Sequence, residues 1–140
     1  MEGLRAQDTA ELLAAGHEDP EQAFRASIEA SEPDLLYTVT VSGVPAAVFG
    51  VAQHPEVAYA GIPWMLGSDR ILRARRELLR EAPKWITLLL SQYPVLVNLV
   101  HKENTVSLAW LRRMGFEFHE DIELPSGELF TRFVMEKTYV

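Results

Sequence analysis

Four consecutive residues, His101-Lys102-Glu103-Asn104, place an imidazole, an ammonium, a carboxylate and a carboxamide at one point of the chain, and Ser107 follows one helical turn later. An imidazole has an unperturbed pKa near neutrality, so His101 could take a proton from an attacking nucleophile, directly or through water. Ser107 could orient a water or a leaving group, and Glu103 is a candidate for contact with a substrate. The plainer alternative makes Asn104 a helix cap and leaves His101 and Ser107 on the surface. A cap at Asn104 does not exclude a ligand role for it.

A second group is basic. Arg70, Arg73, Arg75, Arg76 and Arg80 crowd one segment, and from Asp69 to Lys84 six basic residues stand against three acidic ones. The whole chain has the opposite balance, 13 Lys and Arg against 20 Asp and Glu, for a formal charge of −7 over 140 residues. Cations in the first turn of a helix oppose its dipole at about 0.3–1 kcal/mol each. Either an anion offsets that cost, or Glu77 and Glu81 pair with neighbouring arginines on a solvated face.

The overall acidity argues against nucleic acid as a partner held by bulk charge. With no cysteine, disulfides, thiolate metal sites and cysteine nucleophiles are excluded. His119 and Glu120 are adjacent on an expected strand and face opposite sides. His17 and His54 are remote in sequence, so no metal site is expected. There is no nucleophile elbow, phosphate loop or dinucleotide fingerprint. Tyr59, Trp64, Trp85 and Trp110 read as core residues, with Trp64, beside Pro63, best placed for a pocket.

The elements that must position these groups follow from periodicity. A short helix with Leu12 and Leu13 closes at Gly16, and a second, capped by Asp19 with Pro20 at its first position, carries Phe24 and Ile28 on one face. The pattern then turns extended. Leu36–Val41 and Val44–Ala52 form a hairpin about Ser42-Gly43. Val57–Leu66 is a third strand, in which Pro63 cannot donate a ladder hydrogen bond, so the strand must bulge or lose its partner there.

Asp69 is expected to cap a long helix, kinked or restarted at Pro83 and stopped at Pro94. Val95–Val100 is a short, continuously apolar strand of the buried type. Asn104–Met114 is a helix ending at Gly115. Phe116–Leu124 and Leu129–Thr138 form a closing hairpin, which could pair across a homodimer. The order is α-α-β-β-β-α-β-α-β-β. This implies one α/β domain over residues 1–140, with a mixed sheet, helices on both faces, and Val57–Leu66 beside Val95–Val100. No apolar run is long enough for a membrane span, and Met1–Arg5 does not open a signal peptide, so a cytoplasmic protein is expected.

This order, with the run Asn104-Thr-Val-Ser-Leu-Ala-Trp-Leu-Arg-Arg-Met-Gly-Phe116, resembles the GNAT superfamily of acyl-CoA-dependent N-acyltransferases. The family's late signature is an Asn opening a helix, with Gly-Phe eleven and twelve residues on. Asn104, Gly115 and Phe116 match it. The ending from Gly115 to Glu120 also resembles small GNAT-like proteins encoded by tailed phages, some of them associated with the virion.

The resemblance implies acetyl-CoA as cofactor and a small-molecule or protein amine as acceptor. It also implies a gap between the strands on either side of the long helix, where the pantetheine arm pairs with free backbone groups. Pro63 fits such a gap. Three departures stand against it. The family's glycine-rich pyrophosphate loop corresponds to Leu66-Gly67-Ser68-Asp69-Arg70-Ile71, with one glycine and an acidic residue. On the transferase reading Arg70 and Arg73 would grip the phosphates in its place, with Leu66, Gly67, Ser68 and Asn104 also lining the cofactor. The family's general-acid Tyr corresponds to Leu111, and Val57–Leu66 holds no carboxylate to act as base. An unusual acyltransferase is one expectation, with His101 and Ser107 catalytic and Trp64 and Glu103 on the acceptor side. A catalytically silent interaction or structural protein, virion-associated if phage-encoded, is the other.

Overall fold

The structure, a computed structural model, describes residues 20–137. The helix expected around Leu12 and Leu13 and the cap at Asp19 lie outside the described residues. Helix α1 (Pro20–Ala30) begins at Pro20, the residue type whose missing N–H costs least in a first turn. A 3₁₀ turn over Pro33–Leu35 leads into β1 (Tyr37–Val41). Strand β2 (Val44–Gln53) returns from it through Ser42 and Gly43, whose φ values of 52° and 79° are those of a tight hairpin turn.

Strand β3 (Ala60–Gly67), a 3₁₀ segment (Asp69–Ala74), helix α2 (Arg75–Gln92) and strand β4 (Val95–His101) follow. Helix α3 (Thr105–Met114), β5 (Glu117–Glu123) and β6 (Leu129–Glu136) complete the described chain. The strands form one mixed sheet in the order β1-β2-β3-β4-β6-β5, parallel only between β3 and β4.

The long helix starts later than the sequence implies. Asp69 does not cap an α-helix. Six residues of 3₁₀ geometry come first, with the Ile71 N–H donating to Ser68 O at 3.1 Å. Ile71 and Ala74, three apart, are both buried against Ala46 and Ala47 of β2. A 3₁₀ turn eclipses residues three apart, and the burial of this pair accounts for the tighter winding. Pro83 does not break α2, which runs on to Gln92.

The core has two parts. In the first, Val51, Leu89, Tyr93, Leu96, Val100, Phe116 and Phe133 pack together, with Leu108, Leu111 and Met114 of α3 against them. Helices α2 and α3 therefore share one face of the sheet. The second part joins Ala46 and Ala47 of β2 to Ile71, Ala74 and Leu78, with Met65, Trp85 and Trp110 packed on it. Gly50 points to the opposite face, where a Cβ would stand 3.1 Å from both Leu36 and Trp64 and 3.2 Å from Ser31 Oγ. The end of α1 is held on that side. Tyr59, expected in the core, is instead 62% exposed, because it sits in the turn before β3 rather than on the strand.

Candidate functional site

Strands β3 and β4 pair at only two positions, Ala60 with Val95 and Gly61 with Leu96, and then part. The antiparallel ladder from β2 continues undisturbed past Pro63, which sits opposite Val51. Pro63 therefore turns its missing N–H to the seam with β4, the side where no ladder bond is lost.

The opened seam is spanned by a side chain. Asn98 of β4 donates from Nδ2 to Pro63 O at 2.6 Å, and its Oδ1 accepts from the Leu99 N–H at 2.7 Å. Leu96 and Val100, on the same face of β4 as Asn98, are both buried in the first core cluster. A carboxamide there is costly unless its groups are paired, and both are.

Beyond the seam, Leu66, Gly67 and Ser68 are all buried. The Ser68 N–H donates to Ala46 O at 2.8 Å and the Ser68 hydroxyl to the same oxygen at 3.2 Å. A Cβ on Gly67 would meet Ala46 O at 3.2 Å. This loop is sutured to β2. Arg73 is exposed, while the Arg70 side chain lies outside the described residues. Among the described residues Arg73, Arg75, Arg76 and Arg80 enter no ion pair. Glu81 pairs with Lys84 at 3.1 Å, and among the described residues no arginine of this segment pairs with Glu77 or Glu81, against the alternative in which those carboxylates neutralise the arginines.

At the end of β4, His101 Nδ1 accepts from the Glu103 N–H at 3.2 Å and Nε2 meets Glu128 Oε2 at 3.0 Å. An accepting Nδ1 fixes the proton on Nε2, which then donates to Glu128. The ring also packs edge-on against Phe130, 5.1 Å between centroids. Neighbouring Lys102 donates to Asp121, which also accepts from the Thr131 hydroxyl at 2.8 Å. These two bonds, Lys102 first, hold the Asp121 carboxyl below the usual carboxylate range. Glu120, bonded by its own backbone N–H and by Arg132, is lowered likewise.

Asn104 is buried and caps α3, with Oδ1 accepting from the Ser107 N–H at 3.2 Å. Ser107 is half-buried and Glu103 exposed. Leu111 packs on the core. Trp64 donates from Nε1 to Ser31 Oγ at 2.7 Å, which ties β3 to the end of α1. The sequence reading therefore missed Asn98, Glu128 and Asp121.

A separate groove of about 340 Å³ lies between β1 and α2. Tyr37, Phe49 and Trp85 stack along it with centroid spacings of 5.2 and 4.5 Å, and Glu77 and Glu81 stand at its side. Among the described residues no group of three His, Asp or Glu could hold a metal ion, and no helix is long and apolar enough to cross a membrane.

Backbone groups of the seam and loop that the resemblance would direct to CoA are engaged within the chain. The Ser68 N–H, at the head of the 3₁₀ segment, is committed to Ala46, and Pro63 O and the Leu99 N–H are both committed to Asn98.

The chain matches no family model. Its backbone resembles Ard1 from Thermoplasma volcanium, with a TM-score of 0.66 at 15% identity over 93% of this chain and 88% of that one. It also resembles a Bacillus subtilis acetyltransferase solved in complex with CoA, with a TM-score of 0.60 at 13% identity over 99% and 96%. At such identities the likeness is one of fold, a fold that CoA-binding proteins use. In sequence it is 30% identical over 117 residues to the "Probable scaffold protein gp13" of Escherichia phage T7, covering 79% of this chain and 80% of that protein. A divergent GNAT-superfamily fold whose seam and loop are tied up by its own groups thus belongs to the family of this tailed-phage protein.

Proposed function

We propose that this chain is a structural or interaction protein of phage assembly, built on the GNAT fold and silent as an acyltransferase. The observation that carries this reading is its kinship, over most of both chains, with a phage protein named for scaffolding. The site geometry supports it. Position 111 is a leucine packed in the core. His101 has no ring nitrogen left to accept a substrate proton, since one already accepts from the backbone and the other donates to Glu128. The Ser68 amide, in the segment that corresponds to the family's pyrophosphate loop, is spent on β2. On this reading the partners are protein chains rather than small amines, and the chain works in the cytoplasm of an infected cell or within the particle. The exposed arginines of α2 and the aromatic groove beside β1 are the surfaces it offers.

The other reading, acetyl-CoA-dependent transfer to an amine, draws on the likeness to acetyltransferase structures and on the parting of β3 from β4 after Gly61. It would assign the phosphates to Arg70 and Arg73, the proton to His101, the orienting of a water or leaving group to Ser107, and the acceptor side to Trp64 and Glu103. Calorimetric titration with acetyl-CoA separates the two. The expected result is no saturable heat at millimolar ligand. Saturable heat that weakens in Arg70→Ala and Arg73→Ala would overturn the silent reading.

A further inference from the structure

The β3–β4 ladder ends after Gly61 and Leu96, and beyond it the Asn98 side chain fills the seam from within. We infer that Asn98 is an internal ligand: its carboxamide occupies a slot between Pro63 and Leu99 whose chemistry is that of a secondary-amide site.

The slot offers one acceptor, Pro63 O, and one donor, the Leu99 N–H, and Asn98 meets both at 2.6 and 2.7 Å. Because residue 63 is a proline, β3 presents no N–H at this point. The complement of the slot is therefore a group with one N–H and one C=O, which is an amide, and an extended chain lying between diverging strands would present it. In the native protein the slot is closed by the chain's own side chain. That point rests on the silent reading above, and it names the residue that makes the seam silent.

The test is nuclear magnetic resonance of the Leu99 amide in the native chain and in Asn98→Ala, with pantetheine as the amide probe. In the native chain the Leu99 resonance is expected to stay fixed through millimolar pantetheine. In Asn98→Ala its hydrogen-exchange protection should fall roughly tenfold, the equivalent of one lost hydrogen bond, and the resonance should move saturably with pantetheine. Asn98→Ser, which also vacates the slot but keeps a polar group on the strand, should respond in the same way if the alanine variant does not fold.

A shift of Leu99 in the native chain would overturn the inference, because the slot would then be open. A folded variant whose Leu99 ignores pantetheine would also overturn it, as would failure of both variants to fold, since Asn98 would then be a strut that no ligand replaces. The two readings fail separately. Heat from acetyl-CoA on the native chain with Leu99 unmoved sinks only the silent reading, and an unresponsive folded variant of a chain that ignores acetyl-CoA sinks only the internal ligand.

Discussion

The Tyr93 hydroxyl donates to Glu32 Oε1 at 2.6 Å, joining residues 61 positions apart in sequence. Tyr93 sits at the end of α2 with its ring in the first core cluster. Glu32 lies between α1 and β1, where its own N–H is held by Val51 O. The contact ties the first described helix to the parallel crossover, and it does so with a buried phenol facing a carboxylate.

That arrangement sets a stability limit in alkali. Burial, then the bond to Glu32 and its charge, push the Tyr93 pKa from 10.0 to about 12. The folded state thus holds the phenolic proton more tightly than the unfolded chain. The stabilisation is fully present below pH 10 and is lost as pH rises toward about 12. In Tyr93→Phe the fall in Tm across that window should flatten. At neutral pH the variant should lose about 1 kcal/mol, the net worth of one hydrogen bond. Thermal melts of both proteins between neutral pH and pH 12 check this, and parallel curves would remove Tyr93 as the titrating group.

Gly61 controls where the seam begins. It makes the last β3–β4 pair, with Leu96, and a Cβ there would stand 2.7 Å from the Tyr93 ring and 2.8 Å from Val51 Cγ2. Both neighbours are buried core groups that cannot swing away. Gly61→Ala should therefore destabilise by about 1–3 kcal/mol, the usual cost of overpacking. Urea denaturation should show a lower midpoint with an unchanged slope. A neutral result would mean that β3 shifts and the seam opens earlier.

The sheet was legible from sequence because each strand advertises itself locally. The β-branched run from Tyr37 to Val41, the turn pair Ser42-Gly43 and the apolar stretch at Val95 need no long-range information. Pro63 marked the seam for the same reason. Partnerships were not legible. The acceptor for His101 Nε2 stands 27 residues away at Glu128, and nothing near His101 announces it. The start of α2 was misplaced because Ser68, which could have capped a helix, spends both its N–H and its hydroxyl on Ala46.

Asn98 could have been found. One carboxamide in the middle of Val95-Leu-Val-Asn-Leu-Val100 must have partners if the strand is buried. On a strand next to a proline-bearing neighbour, the nearest unpaired carbonyl is the obvious one.

Asn104 tests whether the late motif is retained for folding or for a ligand. Its Oδ1 accepts the Ser107 N–H, its backbone carbonyl accepts from Leu108, and its own N–H donates to His101 O. Only the first of these depends on the side chain. Replacing a cap of this type by alanine costs about 0.5–2 kcal/mol, so Asn104→Ala should fold with a lowered Tm, and Asn104→Ser should recover most of the loss. Because Asn104 is buried and its carboxamide already serves the helix, the alanine variant should leave partner binding unchanged once measured well below its Tm. A variant of native Tm that loses a binding activity would instead assign Asn104 to a ligand, and the motif would then mark a working site rather than a helix start.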